Sequence, residues 1–182
     1  MTGGGVGVNG EDPFSALGLE ARFDLDPAQI DAAWLKRVRA SHPDRGLGRE
    51  AADPLTAVEA EERTSRLNQA REALRDPLRR GSALLKRRGV EEAEGERRPP
   101  PELLVTMLEF RERLEDALVA QDAAALEAIR AETAAACEAS LAELTALFAA
   151  SAPESALQAE LDALRYLERW RQELRSRLQT GP

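Results

Sequence analysis

The chain has 182 residues and a net charge of −8; 43% of it is hydrophobic but only 4% aromatic, so alanine and leucine supply the apolar content and an all-helical fold is expected. Its length allows one or two small domains with their own cores. No apolar run approaches the ~20 residues needed to span a bilayer, and the lone Cys137 excludes a disulfide framework or a thiolate metal cluster.

Residues 1–11 read as a flexible tail. The stretch from Met1 to Asn9 is glycine-rich and uncharged, unlike the basic start of a signal peptide, so a cytoplasmic protein is expected. A short first helix is expected near Pro13 to Leu17, ending at Gly18. Asp26-Pro27 opens the second, with an N-cap acceptor followed by proline in the first helical position. Ile30, Trp34 and Val38 recur at four-residue spacing and make one narrow apolar stripe, with Lys36, Arg37 and Arg39 pointing away from it. The chain's only histidine follows, in His42-Pro43-Asp44. Proline disfavours the helical region for the residue before it, so His42 ends the second helix.

Asp53-Pro54 opens a third helix running to about Arg75. Asp76-Pro77 opens a fourth that ends at Gly89, with Lys86, Arg87 and Arg88 suiting the negative end of its dipole. Residues 90–101 are charged and then proline-rich, a semi-stiff spacer that marks a domain boundary. Three long helical patterns follow, at about 102–121, 123–150 and 154–179, broken at Asp122 and Pro153. Short connections between them imply an antiparallel bundle.

Charge divides at the same boundary. Residues 1–89 hold 15 Lys and Arg against 14 Asp and Glu, whereas residues 90–182 hold 10 against 19. Two modules meeting different partners are therefore expected. The acidic half argues against nucleic-acid binding.

The first bundle helix has two apolar stripes. Met107, Phe110, Leu114 and Leu118 form an ordinary core line; Leu104, Val105 and Leu108 form a second, edged by Glu109 and Glu112. The last helix repeats the doubling: Leu157, Leu161, Leu164, Leu167, Leu174 and Leu178 share one face, while Tyr166 and Trp170 lie to its side. Either the three helices wrap closely enough to bury both stripes, or the second stripe and the aromatic flank are an interface. Cys137, on the face shared by Leu126, Ile129, Thr133, Leu141 and Leu144, reads as a small buried hydrophobe.

His42-Pro43-Asp44 between two helices resembles the J-domain signature. Asp12-Pro13-Phe14-Ser15-Ala16-Leu17-Gly18-Leu19 resembles the first J-domain helix, and Leu67-Asn68-Gln69-Ala70 with Leu74 and Asp76-Pro77 resembles the end of its third. With the acidic bundle, and Leu108-Glu109-Phe110-Arg111-Glu112-Arg113-Leu114 in particular, the chain from about 12 to 179 is similar to the HscB family, J-type co-chaperones of iron–sulfur cluster assembly. The resemblance implies a J-domain at 12–89, a linker at 90–101 and a three-helix bundle at 102–182. It further implies that Lys36, Arg37, Arg39, His42, Pro43 and Asp44 dock on an HscA-like 70-kDa heat-shock chaperone and promote its ATP hydrolysis. Leu104, Val105, Leu108, Glu109, Glu112 and Tyr166 would hold an IscU-like iron–sulfur scaffold. No cofactor, membrane or nucleic-acid partner is implied, and a monomer is expected.

The sequence departs from the pattern in places. Ser41 stands where a tyrosine is common, Arg37 where many J-domains place a core leucine, and the segment between Asp44 and Asn68 is slightly long, which costs little. A single histidine without a second histidine or a nearby cysteine makes a poor metal site, and no enzyme activity is expected. Two other readings stand beside the adaptor. One is a self-associating helical assembly protein with a degenerate J-like fold. The other is a general J-protein for the housekeeping chaperone, which the lack of a Gly/Phe-rich or Cys-rich segment after residue 89 disfavours.

Overall fold

A computed structural model describes residues 12–41, 54–90 and 101–180. Among them are seven helices and no strand: α1 (Pro13–Leu17), α2 (Pro27–Ser41), α3 (Pro54–Arg75), α4 (Pro77–Arg87), α5 (Pro101–Val119), α6 (Ala123–Ala149) and α7 (Glu154–Thr180). The chain divides into two compact units, Met1–Leu84 and Leu85–Pro182.

In the first unit α1 and α2 both pack on α3. The core is small and apolar: Phe14 and Leu17 from α1, Phe23 and Leu25 from the connecting loop, Ile30 from α2, and Leu67, Ala70 and Leu74 from α3. Asp12 caps α1 by accepting from the Ser15 backbone N–H, and Asp26 accepts from Ala28 at the start of α2. Arg80 is buried. Its Nη1 donates to the carbonyls of Leu25 and Leu74, and its guanidinium lies 5.1 Å from the Phe23 ring centroid, so one side chain ties the loop before α2 to the end of α3. Desolvation lowers the pKa of Arg80 from its ordinary value, with Asp24 and Asp76 opposing that shift.

In the second unit α6 packs against both α5 and α7. Arg111 pairs with Glu173, and four residues on in both helices Glu115 pairs with Arg177, so α5 and α7 run parallel. Arg113 reaches Glu132 through two hydrogen bonds of 2.7 and 2.9 Å across the antiparallel α5–α6 pair. Leu114, Ala117, Ile129, Trp170 and Leu174 form the core where the three helices meet, with Met107, Phe110 and Leu118 against it. The α7 leucines 157, 161, 164, 167 and 174 are buried, as their shared face requires.

Trp170 corrects the sequence reading. It belongs to the core, 1% exposed, rather than to an aromatic flank. Parallel α5 brings Phe110 against it, the rings stacked with centroids 6.4 Å apart and planes 21° from parallel, with Arg111 at 5.7 Å. A third helix widens the buried sector of α7 beyond its leucines. Cys137 is buried as expected, and desolvation pushes its thiol pKa up.

Four helix ends close alike. After α1, α4, α5 and α6 the residues Gly18, Gly89, Gln121 and Ser151 have positive φ (69°, 83°, 52° and 51°). Each is followed by a backbone N–H that bonds five residues back, as from Leu19 to Phe14 and from Ala152 to Leu147. Gln121 and Ser151 do this without being glycine.

Candidate functional site

The cationic face of the first unit is set by how α2 sits on α3. Trp34 Nε1 donates to Asn68 Oδ1 at 2.9 Å, and Asp31, three residues before Trp34, takes Arg71 Nε at 2.7 Å, three residues after Asn68. The pairings step in opposite directions, so α2 and α3 are antiparallel. Arg75 adds a second cation to Asp31, and Arg71 lies 4.6 Å from the Trp34 ring centroid. The hydrogen bond from Arg71 holds the Asp31 carboxyl below its ordinary pKa. With Ile30 fully buried and Trp34 and Val38 half-buried, the rest of α2 turns outward.

Lys36, Arg37 and Arg39 are all exposed. They are not equivalent. A Cβ at Gly18 would stand 2.6 Å from Arg37 Nη2, so the Arg37 guanidinium crosses the end of α1 directly over that glycine. The Arg37 side chain therefore covers α1 from outside, where the J-domain pattern has a leucine inside. Lys36 and Arg39 have no ion pair among the described residues. α2 ends at Ser41, immediately before His42; His42, Pro43 and Asp44 themselves lie outside the described residues.

In the second unit the core line of α5 faces α6 and α7, and the second stripe does not. Leu104, Val105 and Leu108 are 41%, 55% and 61% exposed, and Glu109 and Glu112 are exposed beside them. Burying both stripes is therefore not what the bundle does. The α5–α7 ion pairs also fix where Tyr166 lies. Seven residues before the Arg111–Glu173 pair stand Leu104 and Tyr166, so the two are level on parallel helices. Tyr166 is half-buried, with Arg169 5.8 Å from its ring centroid. The five α5 residues thus share one solvent-facing surface, with Tyr166 beside its N-terminal end. Among the described residues no group of three or more His, Cys, Asp and Glu could hold a metal ion, and no helix is long and apolar enough to cross a membrane.

An N-terminal unit built on the α2–α3 hairpin with an outward cationic helix, followed by a three-helix bundle with an exposed apolar stripe, is the build of a J-type co-chaperone. Residues 99–175 match the family described as the HSCB C-terminal oligomerisation domain. The co-chaperone protein HscB homolog of Bordetella parapertussis is 38% identical over 121 residues, covering 66% of this chain and 68% of that protein. Chaperone HscB from Vibrio cholerae superposes with a TM-score of 0.74 at 27% identity, over 91% of this chain and 96% of that one. The human co-chaperone protein HscB has the same fold, with a TM-score of 0.74 at 22% identity over 91% and 81% of the two chains. The chain belongs to the HscB co-chaperone family.

Proposed function

We propose that this protein is an adaptor of iron–sulfur cluster assembly, bringing an IscU-like scaffold to an HscA-like 70-kDa chaperone and stimulating that chaperone's ATPase. The observation that carries the reading is the α5 stripe: three large apolar side chains left in solvent together on one face of the bundle. Leu104, Val105 and Leu108 supply the apolar contact area, Tyr166 a neighbouring aromatic, and Glu109 and Glu112 an acidic edge that selects a basic counterpart. On the other unit Lys36, Arg37 and Arg39 attract the chaperone, and His42, Pro43 and Asp44 follow directly at the end of the same helix. Hydrolysis stays in the chaperone. The adaptor changes which of its conformations is favoured, without enzyme chemistry or a cofactor of its own. It acts in the cytoplasm.

Two measurements test the two halves. In a steady-state ATPase assay with the chaperone, His42→Gln abolishes stimulation; stimulation equal to wild type would remove the J-domain half. In calorimetric titration with the scaffold, the Leu104→Ala, Leu108→Ala, Tyr166→Ala variant binds about 100-fold more weakly. Unchanged affinity would remove the scaffold half.

The description of the matched family names oligomerisation, which favours a second reading in which the bundle stripes pair two copies. Sedimentation separates them: the adaptor is a monomer at assay concentrations, the assembly protein a stable dimer or larger.

A further inference from the structure

A groove of about 600 Å³ runs between α6 and α7, clear of the α5 stripe and lined in part by the edge of the core at Leu174 and Leu178. Its floor is apolar and partly low. Ala131 and Ala134 of α6 leave the backbone close to the surface, and Leu174 and Leu178 of α7 line the opposite wall. Its rim carries three guanidinium groups against one lining carboxylate, with Arg130 beside Glu127 on one side and Arg171 and Arg175, one helical turn apart, on the other. Residues 90–182 hold only ten cationic side chains against nineteen anionic ones, and three of the ten gather here.

The arginines are not spent on closing the groove. Glu127 holds Arg130 through two hydrogen bonds of 2.9 and 2.7 Å within α6, and Glu168 holds Arg171 at 2.6 Å within α7. Both pairs stay on their own helix, so they orient the guanidinium groups without bridging the gap. Arg175 has no ion pair among the described residues. Guanidinium forks matched to an incoming carboxylate, above a floor that accepts apolar side chains, are complementary to a chain bearing both.

We propose that the α6/α7 groove is a second binding site of this module, and that its ligand is an acidic peptide segment carrying apolar side chains. The volume suits a few side chains. Arg171 and Arg175, spaced along the groove with Arg130 opposite, suit several carboxylates along a chain rather than one head group. The module therefore presents two surfaces of opposite charge: an acidic apolar stripe on α5 and a basic apolar groove between α6 and α7. One partner can occupy each.

The test uses the full-length protein and fluorescence anisotropy with a labelled twelve-residue peptide of glutamate and leucine in amphipathic order. A lysine-for-glutamate counterpart is the control. The acidic peptide binds the wild type, more weakly as salt rises. It loses about tenfold in affinity in the Arg171→Glu, Arg175→Glu variant, which the lysine peptide then prefers over wild type. Arg171→Gln, Arg175→Gln gives the same direction should charge reversal disturb the fold. Leu104→Ala, Leu108→Ala leaves the acidic peptide's affinity unchanged, which separates this site from the proposed scaffold face. Equal binding to wild type and both arginine variants, or equal binding of the two peptides to wild type, overturns the proposal. So does self-association in sedimentation that is lost both in the arginine variants and in Glu109→Arg, Glu112→Arg, since the groove's occupant would then be a second copy's acidic stripe.

Discussion

The outward face of α2 and the outward face of α5 are built differently. On α2 the cations Lys36, Arg37 and Arg39 are exposed together with Leu35, and the apolar positions Ile30, Trp34 and Val38 turn inward. On α5 the core line is satisfied by Met107, Phe110, Leu114 and Leu118, and a second apolar line is left in water. A cationic face acts over a distance of about a Debye length and raises encounter rates, but contributes little once salt screens it. An apolar stripe acts only on contact and supplies affinity through buried area. Under the proposed function, the N-terminal unit makes transient visits and the C-terminal unit holds on.

The largest expected effect tests what lets the second unit leave a stripe exposed, namely a core that closes without it. Trp170→Ala removes the side chain on which Phe110, Leu114 and Leu174 converge, and should cost the bundle about 3–5 kcal/mol, read by chemical denaturation. Trp170→Phe should cost much less. The indole N–H is buried without a hydrogen-bond partner among the described residues, so its loss offsets part of the lost packing. An equal cost for both would place the energy in the part of the indole that phenylalanine cannot fill.

Next in size is the charge contrast itself. The Lys36→Ala, Arg39→Ala variant should associate with the chaperone several-fold more slowly at low salt, by stopped-flow, with the difference closing above roughly 0.5 M. Scaffold binding by the same variant should be unaltered. A defect that persists at high salt would mean these cations make buried contacts rather than steer.

The smallest effect comes from Cys137. Burial keeps its thiol protonated in the folded state, so its folded pKa lies above the unfolded value. Stability from this group is present below the ordinary thiol range and is lost as pH rises through that range, because the unfolded chain then releases a proton that the folded chain retains. Denaturation midpoints of wild type should fall between pH 8 and 10 relative to Cys137→Ala. Alkylation of the native thiol should be slow and should track unfolding.

Much of this was legible beforehand. Asp-Pro pairs marked the starts of α2, α3 and α4 because an N-cap acceptor followed by a pre-set φ is a local signal. The two stripes of α5 were legible because helical periodicity assigns faces without knowing what covers them. The ends of α5 and α6 were less so: Gln121 and Ser151 take the left-handed turn that glycine takes after α1 and α4, and neither residue type announces it. Trp170 was misread because a helix wheel centred on leucines describes contact with one neighbour, whereas α7 has two.

The arginines show the same division. Arg37 and Lys36 are neighbours on one helix face by sequence, yet only Arg37 folds back over Gly18. Arg130 on α6 and Arg171 and Arg175 on α7 are about forty residues apart, and nothing local pairs them. Sequence by itself determined the helical class, the helix starts, the polarity of each face and the family signature, since propensity, capping and periodicity act over a few residues. The tertiary structure alone decided that Trp170 is core, that Tyr166 stands level with Leu104, that the α5 stripe stays open, and that three arginines meet across a groove. Those outcomes depend on the parallel register of α5 with α7 and the antiparallel packing of α6 on both, which are set by long-range contacts that no local pattern encodes.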